Sequence, residues 1–190
     1  MVLGLGPAGT GKTYVAASHA IDELVSDRTG RIVVTRATVP VDGEKLGFLP
    51  GTADEKMDPW VAELFDIFRE RVGEDRFKTL IRERRIQIVP FAFMRGRSFR
   101  DSIIICDEMQ NATPAQAKML VTRIGEGSSM LINGDLDQSD LRGRNGLQDL
   151  VDMIEDQGLM VPVVRFTKED VRRSALCRMW VEAYERKEAA

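Results

Sequence analysis

Gly6-Pro7-Ala8-Gly9-Thr10-Gly11-Lys12-Thr13 meets the pattern G-x-x-x-x-G-K-[ST] at every constrained position. Gly6, Gly9 and Gly11 let the backbone curl with its N–H groups inward, and a helix beginning near Lys12 adds the positive end of its dipole. Such a cradle suits a polyanion. Lys12 is placed to reach β- and γ-phosphates, and the Thr13 hydroxyl can ligate the Mg²⁺ that accompanies a nucleoside triphosphate. The plain alternative is a glycine-rich turn that happens to end in Lys-Thr.

A second group of chemically apt residues follows an apolar run. Ile103-Ile104-Ile105-Cys106 reads as a buried strand delivering Asp107 and Glu108 to its carboxyl end, the edge at which open α/β sheets bind ligands. Asp107 suits the Mg²⁺ shell, and Glu108 suits polarising a water aimed at the γ-phosphate. Another apolar run, Ser129 to Asn133, sets Gly134-Asp135-Leu136-Asp137-Gln138 at the same edge. There Asn133, Asp135 and Gln138 are candidates for sensing the γ-phosphate. Solvated charges at two strand ends are the plain reading of both groups.

The elements that must position these residues are legible along the chain. Met1 to Leu5 reads as a short buried strand. Val15, Ala16, Ala20, Ile21 and Leu24 form a helical stripe over Lys12 to Val25. Ile32-Val33-Val34 lacks polar alternation, which suits a strand covered on both faces in a parallel sheet and exiting at Arg36. Ala37 to Asp58, with Pro40, Gly43, Gly47, Pro50 and Gly51, is long for an idle loop. Asp58-Pro59 predicts a helix start, with Val61, Leu64, Phe65 and Phe68 on one face. A helix over Phe77 to Arg84 and a strand over Ile86 to Val89 come next. Thr113-Pro114-Ala115-Gln116 is a capping box opening a helix to about Ile124. Val161 to Phe166 predicts a last strand, and Thr167 with Asp170 the cap of a final helix through Glu188.

Other residues carry plainer readings. Phe91 to Phe99 mixes aromatics with Arg95 and Arg97, which suits either a single-strand nucleic-acid contact or core plus surface. Arg82-Glu83-Arg84-Arg85 reads as a solvated helix end that could also line a channel. His19 sits off the apolar stripe and suits the surface, while Trp60 and Trp180 read as packing residues.

Composition bounds the answer. The chain has 190 residues, 43% of them hydrophobic and 30% charged, which fits one globular domain over 1–190. A net charge of −3 means that any nucleic-acid contact must come from a local basic patch or an assembled channel. Cys106 and Cys177 lack the spacing of a disulfide framework or zinc site, which points to a reducing, cytoplasmic setting. Neither a long apolar run nor a charged-then-apolar leader is present, so membrane and export readings drop out. The abrupt start at Met1 is consistent with further sequence upstream of the phosphate loop.

Several blocks occurring in order give the chain a family resemblance. They are Gly6 to Thr13, Gly43-Glu44-Lys45-Leu46-Gly47-Phe48-Leu49-Pro50-Gly51, Met94-Arg95-Gly96-Arg97, Asp107-Glu108-Met109-Gln110-Asn111, Thr122-Arg123-Ile124-Gly125 and Gly134 to Gln138. With them the chain resembles the PhoH-like family over nearly its whole length. The resemblance implies an α/β RecA-like P-loop ATPase fold, a mostly parallel sheet sandwiched by helices, related to superfamily 1 helicases. It also implies ATP with Mg²⁺ as cofactors, RNA or single-stranded DNA as partner, and a homo-oligomer such as a hexameric ring. In such a ring an arginine of one subunit enters the neighbour's site, and Arg123, Arg144 and Arg173 are the candidates. Ala37, where the family more often has proline, and Met109, where alanine is common, depart from its pattern. A P-loop kinase and a nucleotide-dependent assembly module with incidental turnover are the rival readings.

Overall fold

Side chains of a strand alternate between faces, so a strand that is apolar at every position must be covered on both sides. The computed structural model, which describes residues 1–37, 53–141, 143–172, 179, 180 and 183 and the side chains of 53–60 not at all, meets that demand. Six strands, β1 (Val2–Leu5), β2 (Arg31–Arg36), β3 (Ile86–Ile88), β4 (Ser102–Asp107), β5 (Ser129–Gly134) and β6 (Val163–Arg165), form one sheet in the order β3-β2-β4-β5-β1-β6. Every pairing is parallel. This is the RecA-like P-loop NTPase arrangement that the family resemblance implies.

The alternation sorts the core into two layers. Ile32, Val34, Ile103 and Ile105 pack on one face with α1 (Lys12–Val25), α2 (Ala53–Val72) and α3 (Glu74–Arg82). Val33, Ile104 and Cys106 pack on the other with α4 (Pro114–Val121) and α5 (Gly146–Gln157). The chain moves from β1 to β2 and β3 over the first face, then returns through β4, β5 and β6 over the second. A sheet whose crossovers keep one hand must change faces when it changes direction. The loops after β1 and β5 therefore diverge to opposite faces, and a crevice opens at the carboxyl ends of these adjacent strands.

Local chemistry explains most boundaries and several departures from the sequence reading. In α1 the predicted Ala16, Ala20, Ile21 and Leu24 are buried, with Ala17 in place of Val15, which is 56% exposed. His19 lies on the exposed side. α2 begins at Ala53, not at Asp58, and carries Pro59 in its interior, where the missing N–H removes one i→i−4 bond. α4 has its capping box, the Thr113 backbone N–H donating to Gln116 Oε1 at 2.8 Å, but ends at Val121. Thr122 Oγ1 donates to the carbonyls of Lys118 and Met119, and Arg123 Nε to that of Met119, ending the helix early.

α5 is absent from the sequence reading, although Leu147, Leu150, Val151 and Ile154 form a helical stripe. Gly146 at its start lowers helix propensity and obscures it. That glycine is needed because a Cβ there would meet Thr113 O at 2.7 Å and Ala117 Cβ at 2.8 Å, where α5 crosses α4. β6 is shorter than the predicted Val161 to Phe166. The box of Thr167 and Asp170 caps only a 3-10 turn, Lys168–Asp170. The Gly43 to Gly51 block, the Trp60 side chain, Cys177, Arg173 and most of the predicted last helix lie outside the described residues. Trp180 is 56% exposed.

A contrast of two aliphatic residues tests the layering. Ile104, fully buried between the layers, should lose roughly 2–5 kcal/mol of stability on Ile104→Ala. Val15→Ala should change it by less than about 0.5 kcal/mol or raise it, since alanine is the better helix former. Urea denaturation of both variants reads the difference, and equal midpoints would contradict the assigned faces.

Candidate functional site

The glycines of the first loop have the backbone that the phosphate-cradle reading requires. Gly6, Gly9 and Gly11 all have positive φ, and at Gly6 (φ 145°) a Cβ would collide with the Phe166 carbonyl oxygen. α1 starts from Gly11 with no side-chain cap among the described residues, which leaves its first N–H groups available to the loop. Thr10 Oγ1 donates to Pro7 O at 2.9 Å and pins the curl. Lys12 Nζ folds back over the same loop and donates to Gly6 O at 2.5 Å and Pro7 O at 2.8 Å. Partial burial lowers its pKa from the ordinary lysine value, opposed by the nearby carboxylates of Asp135, Asp107, Glu108 and Glu63.

β4 brings the acids to this loop. Thr13 Oγ1 donates to Asp107 Oδ2 at 3.1 Å, joining the end of the cradle to the end of the strand. Two oxygen donors of this kind converging beside a phosphate cradle fit a small hard cation such as Mg²⁺, which takes few protein ligands and completes its octahedron with phosphate and water. Glu108 leaves the strand with left-handed backbone (φ 54°, ψ 38°), a conformation that costs a non-glycine residue roughly 1 kcal/mol or more. That turn gives its carboxylate two neighbours: Arg36 at the end of β2, 3.4 Å from Oε1, and Gln110, whose Nε2 donates to Oε2 at 2.5 Å.

Gln110 is the functional residue that reading for motifs did not assign. Its side chain is buried, and its Oε1 accepts from the Asp135 backbone N–H at 3.1 Å while its amide holds Glu108. One amide thus ties the acid after β4 to the loop after β5. Its position depends on Gly134, where a Cβ would come within 2.7 Å of Gln110 Oε1. Polar character three residues beyond Asp107 was the available signal.

Lys12, Thr13, Asp107, Glu108, Gln110, Asp135 and Gln138 line one cleft of ≈ 300 Å³, joined by Glu63 from α2. Among the described residues Lys12 is the one cation in its lining. Asn133 is not part of it: its amide is buried beside Gly4, where a Cβ would lie 2.6 Å from Oδ1, and Nδ2 has no partner among the described residues. Arg123 and Arg144 also stand outside the cleft. The Arg123 guanidinium donates to Met119 O, Arg97 O and Thr122 Oγ1, and Arg144 pairs with Asp149 and Asp152.

Asp107 gives a pH-dependent test of this crowding. Burial raises its carboxyl above the ordinary 3.8, Glu108 adds to the rise, and Arg36, the Thr13 hydroxyl and a backbone bond oppose it. With the folded-state value above the unfolded one, the native state binds more protons between the two, and stability falls as pH rises through that window. The penalty grows as pH rises through the folded-state value and is retained above it. Asp107→Asn should therefore melt higher than wild type at neutral pH without nucleotide, and the two should converge toward low pH. Calorimetry giving equal melting temperatures at pH 7 would refute the account.

The chain is similar to known proteins. The model of the PhoH-like protein family matches residues 1–185. Protein PhoH of Escherichia coli K12 is 42% identical over 188 residues, covering 97% of this chain and 52% of the relative. The PhoH-like protein of Mycobacterium tuberculosis H37Rv is 42% identical over 190 residues, 99% of this chain and 53% of its own length. That of Bacillus subtilis 168 is 42% identical over 189 residues, 98% and 58%. The chain spans a little over half the length of these relatives, and with its family model matched almost end to end it belongs to the PhoH-like family.

Proposed function

We propose that this chain binds ATP with Mg²⁺ and hydrolyses it, acting on or with RNA or single-stranded DNA in a helicase-like manner. The observation that carries the reading is the Thr13 to Asp107 contact beside a glutamate held by Arg36 and Gln110. Lys12 and the N–H groups of the loop hold the phosphates, Thr13 and Asp107 hold the metal, and Gln138 faces the γ-phosphate. Bound Mg²⁺ supplies neutralisation of charge on the phosphate oxygens. Glu108 accepts the proton of the attacking water, and Gln110 keeps its carboxylate aimed into the cleft.

A kinase fits less well, since it must exclude water, whereas Glu108 sits in the cleft beside the metal-binding acid. Among the described residues the cleft lining holds no arginine, which supports a homo-oligomer such as a ring in which a neighbour supplies one. Arg123, Arg144 and Arg173 remain candidates for that part, and a nucleotide-dependent assembly module is the second reading this observation favours. A trans arginine is worth about 10³–10⁵ in rate, so a monomer should turn over slowly. The described residues contain no helix long and apolar enough to cross a membrane, which is compatible with a cytoplasmic setting.

Steady-state hydrolysis and nucleotide titration separate the roles. Glu108→Gln should keep nucleotide affinity and lose about 10²–10⁴ of turnover. Lys12→Ala should weaken nucleotide binding itself. Gln110→Met, close in size but without the amide, should lower kcat about tenfold or more and leave KM nearly unchanged. Wild-type rates for Glu108→Gln would remove it from the water-activating role. Nucleotide-dependent assembly without turnover would shift the function to the second reading.

A further inference from the structure

β3 ends the sheet. Carbonyl Arg85 O and the N–H of Val89 bond β2, so by the alternation of a strand the backbone groups of Ile86 and Ile88 face away from it, with no strand beside them among the described residues. Along this edge runs a groove of ≈ 690 Å³, more than twice the volume of the nucleotide cleft. Its charged lining is Arg69, Lys78, Arg82, Arg84 and Arg97 against a single acid, Glu74. Glu74 pairs with both Arg69 and Lys78, whereas Arg82 and Arg84 have no acidic partner among the described residues. In a chain of net charge −3 this is a concentrated departure from the whole.

Two further features lie in the chain next to the residues that line the groove. Arg84 has φ 57°, just past the end of α3, in the left-handed position that glycine normally takes after a helix. An arginine there keeps a strained backbone and contributes a cation to the groove. Beyond β3 the chain makes a 3-10 turn, Phe91–Phe93, and reaches Arg97, which lines the groove. Phe91 and Met94 pack into the core, but Phe93 is 58% exposed beside the exposed Arg95. The Arg97 guanidinium lies over the Phe99 ring at 4.9 Å, which holds it in place. Uncommitted cations along a track, with an exposed ring on the segment that leads to Arg97, are what a single-stranded nucleic acid requires, cations for phosphates and a face for a base.

We infer that the groove along the β3 edge, with Arg82, Arg84 and Arg97 as phosphate contacts and Phe93 as a stacking face, is a binding site for single-stranded nucleic acid. The inference rests on the proposed nucleic-acid partnership and places it on residues that the nucleotide cleft does not use. β2 lies between the two sites, with Arg36 at its end touching Glu108.

Anisotropy of labelled dodecamers of uridine and of thymidine, titrated at several salt concentrations, tests it on wild type, Arg82→Ala/Arg84→Gly and Phe93→Ala. Arg84→Gly relieves the left-handed strain, so the double variant should melt no lower than wild type and misfolding cannot explain its weaker binding. It should bind at least about tenfold more weakly, with the slope of log K against log salt reduced by about 1.4, as expected when two cations no longer neutralise phosphates of a single strand. Phe93→Ala should weaken binding with the slope unchanged. Basal ATP hydrolysis should be unaltered in both variants. If wild type binds neither dodecamer, the nucleic-acid reading itself fails. If wild type binds and the double variant keeps its affinity and slope, the groove assignment is overturned and the partnership stands. Polyglutamate binding that the dodecamers fail to displace would also overturn it, assigning the groove to an acidic protein.

Discussion

A hydroxyl at the start of one helix donating to a carboxylate at the end of a strand not its neighbour is the constraint on which the site depends. Thr13 and Asp107 meet at 3.1 Å only if β1 and β4 lie in one sheet, point the same way and end at the same height. β5 sits between them and fixes their spacing. The parallel register, the two covering layers and the change of direction after β3 all serve that alignment. A slip of one residue in β4 would turn Asp107 to the opposite face.

The acids at this edge sit in tension with the core that carries them. Asp107 is buried at the end of a strand whose preceding residues are wholly apolar from Ile103 to Cys106, and Glu108 is next to it with a left-handed backbone. Neither choice favours folding. Both are tolerated because the strand beneath is held on two sides by well-packed aliphatic layers, and because Gln110, Arg36 and Thr13 supply partners at the surface of the core. Stability is generated under the site and partly given up in it.

Much of this arrangement could be read from the sequence, for identifiable reasons. The loop from Gly6 to Thr13 and the pair Asp107-Glu108 stand out because each position is restricted by local chemistry. The uninterrupted Ile103 to Cys106 run announces a strand covered on both faces. Other parts rest on tertiary contacts that no local pattern encodes. The bridging amide of Gln110 depends on how closely β4 and β5 approach, and Glu63 enters the cleft from a helix far away in the chain. Asn133 suits a sensing role by its place beside Gly134, yet its amide lies against Gly4 of the neighbouring strand and outside the cleft lining. α5 was hidden by a glycine whose reason, the crossing with α4, appears only in three dimensions. The family match over residues 1–185 supports the fold-level reading and does not extend to these details.

The lysine folded onto its own loop has a consequence for exchange of ligands. With Lys12 Nζ already held by two carbonyls, an arriving phosphate substitutes one set of acceptors for another instead of meeting a bare, hydrated ammonium. Part of the attraction is thereby cancelled at entry. The same carbonyls wait for the ammonium when phosphate departs, so the departing anion leaves behind a satisfied cation. A loop that carries its own replacement acceptors trades ultimate tightness for reversibility in whatever anion it holds.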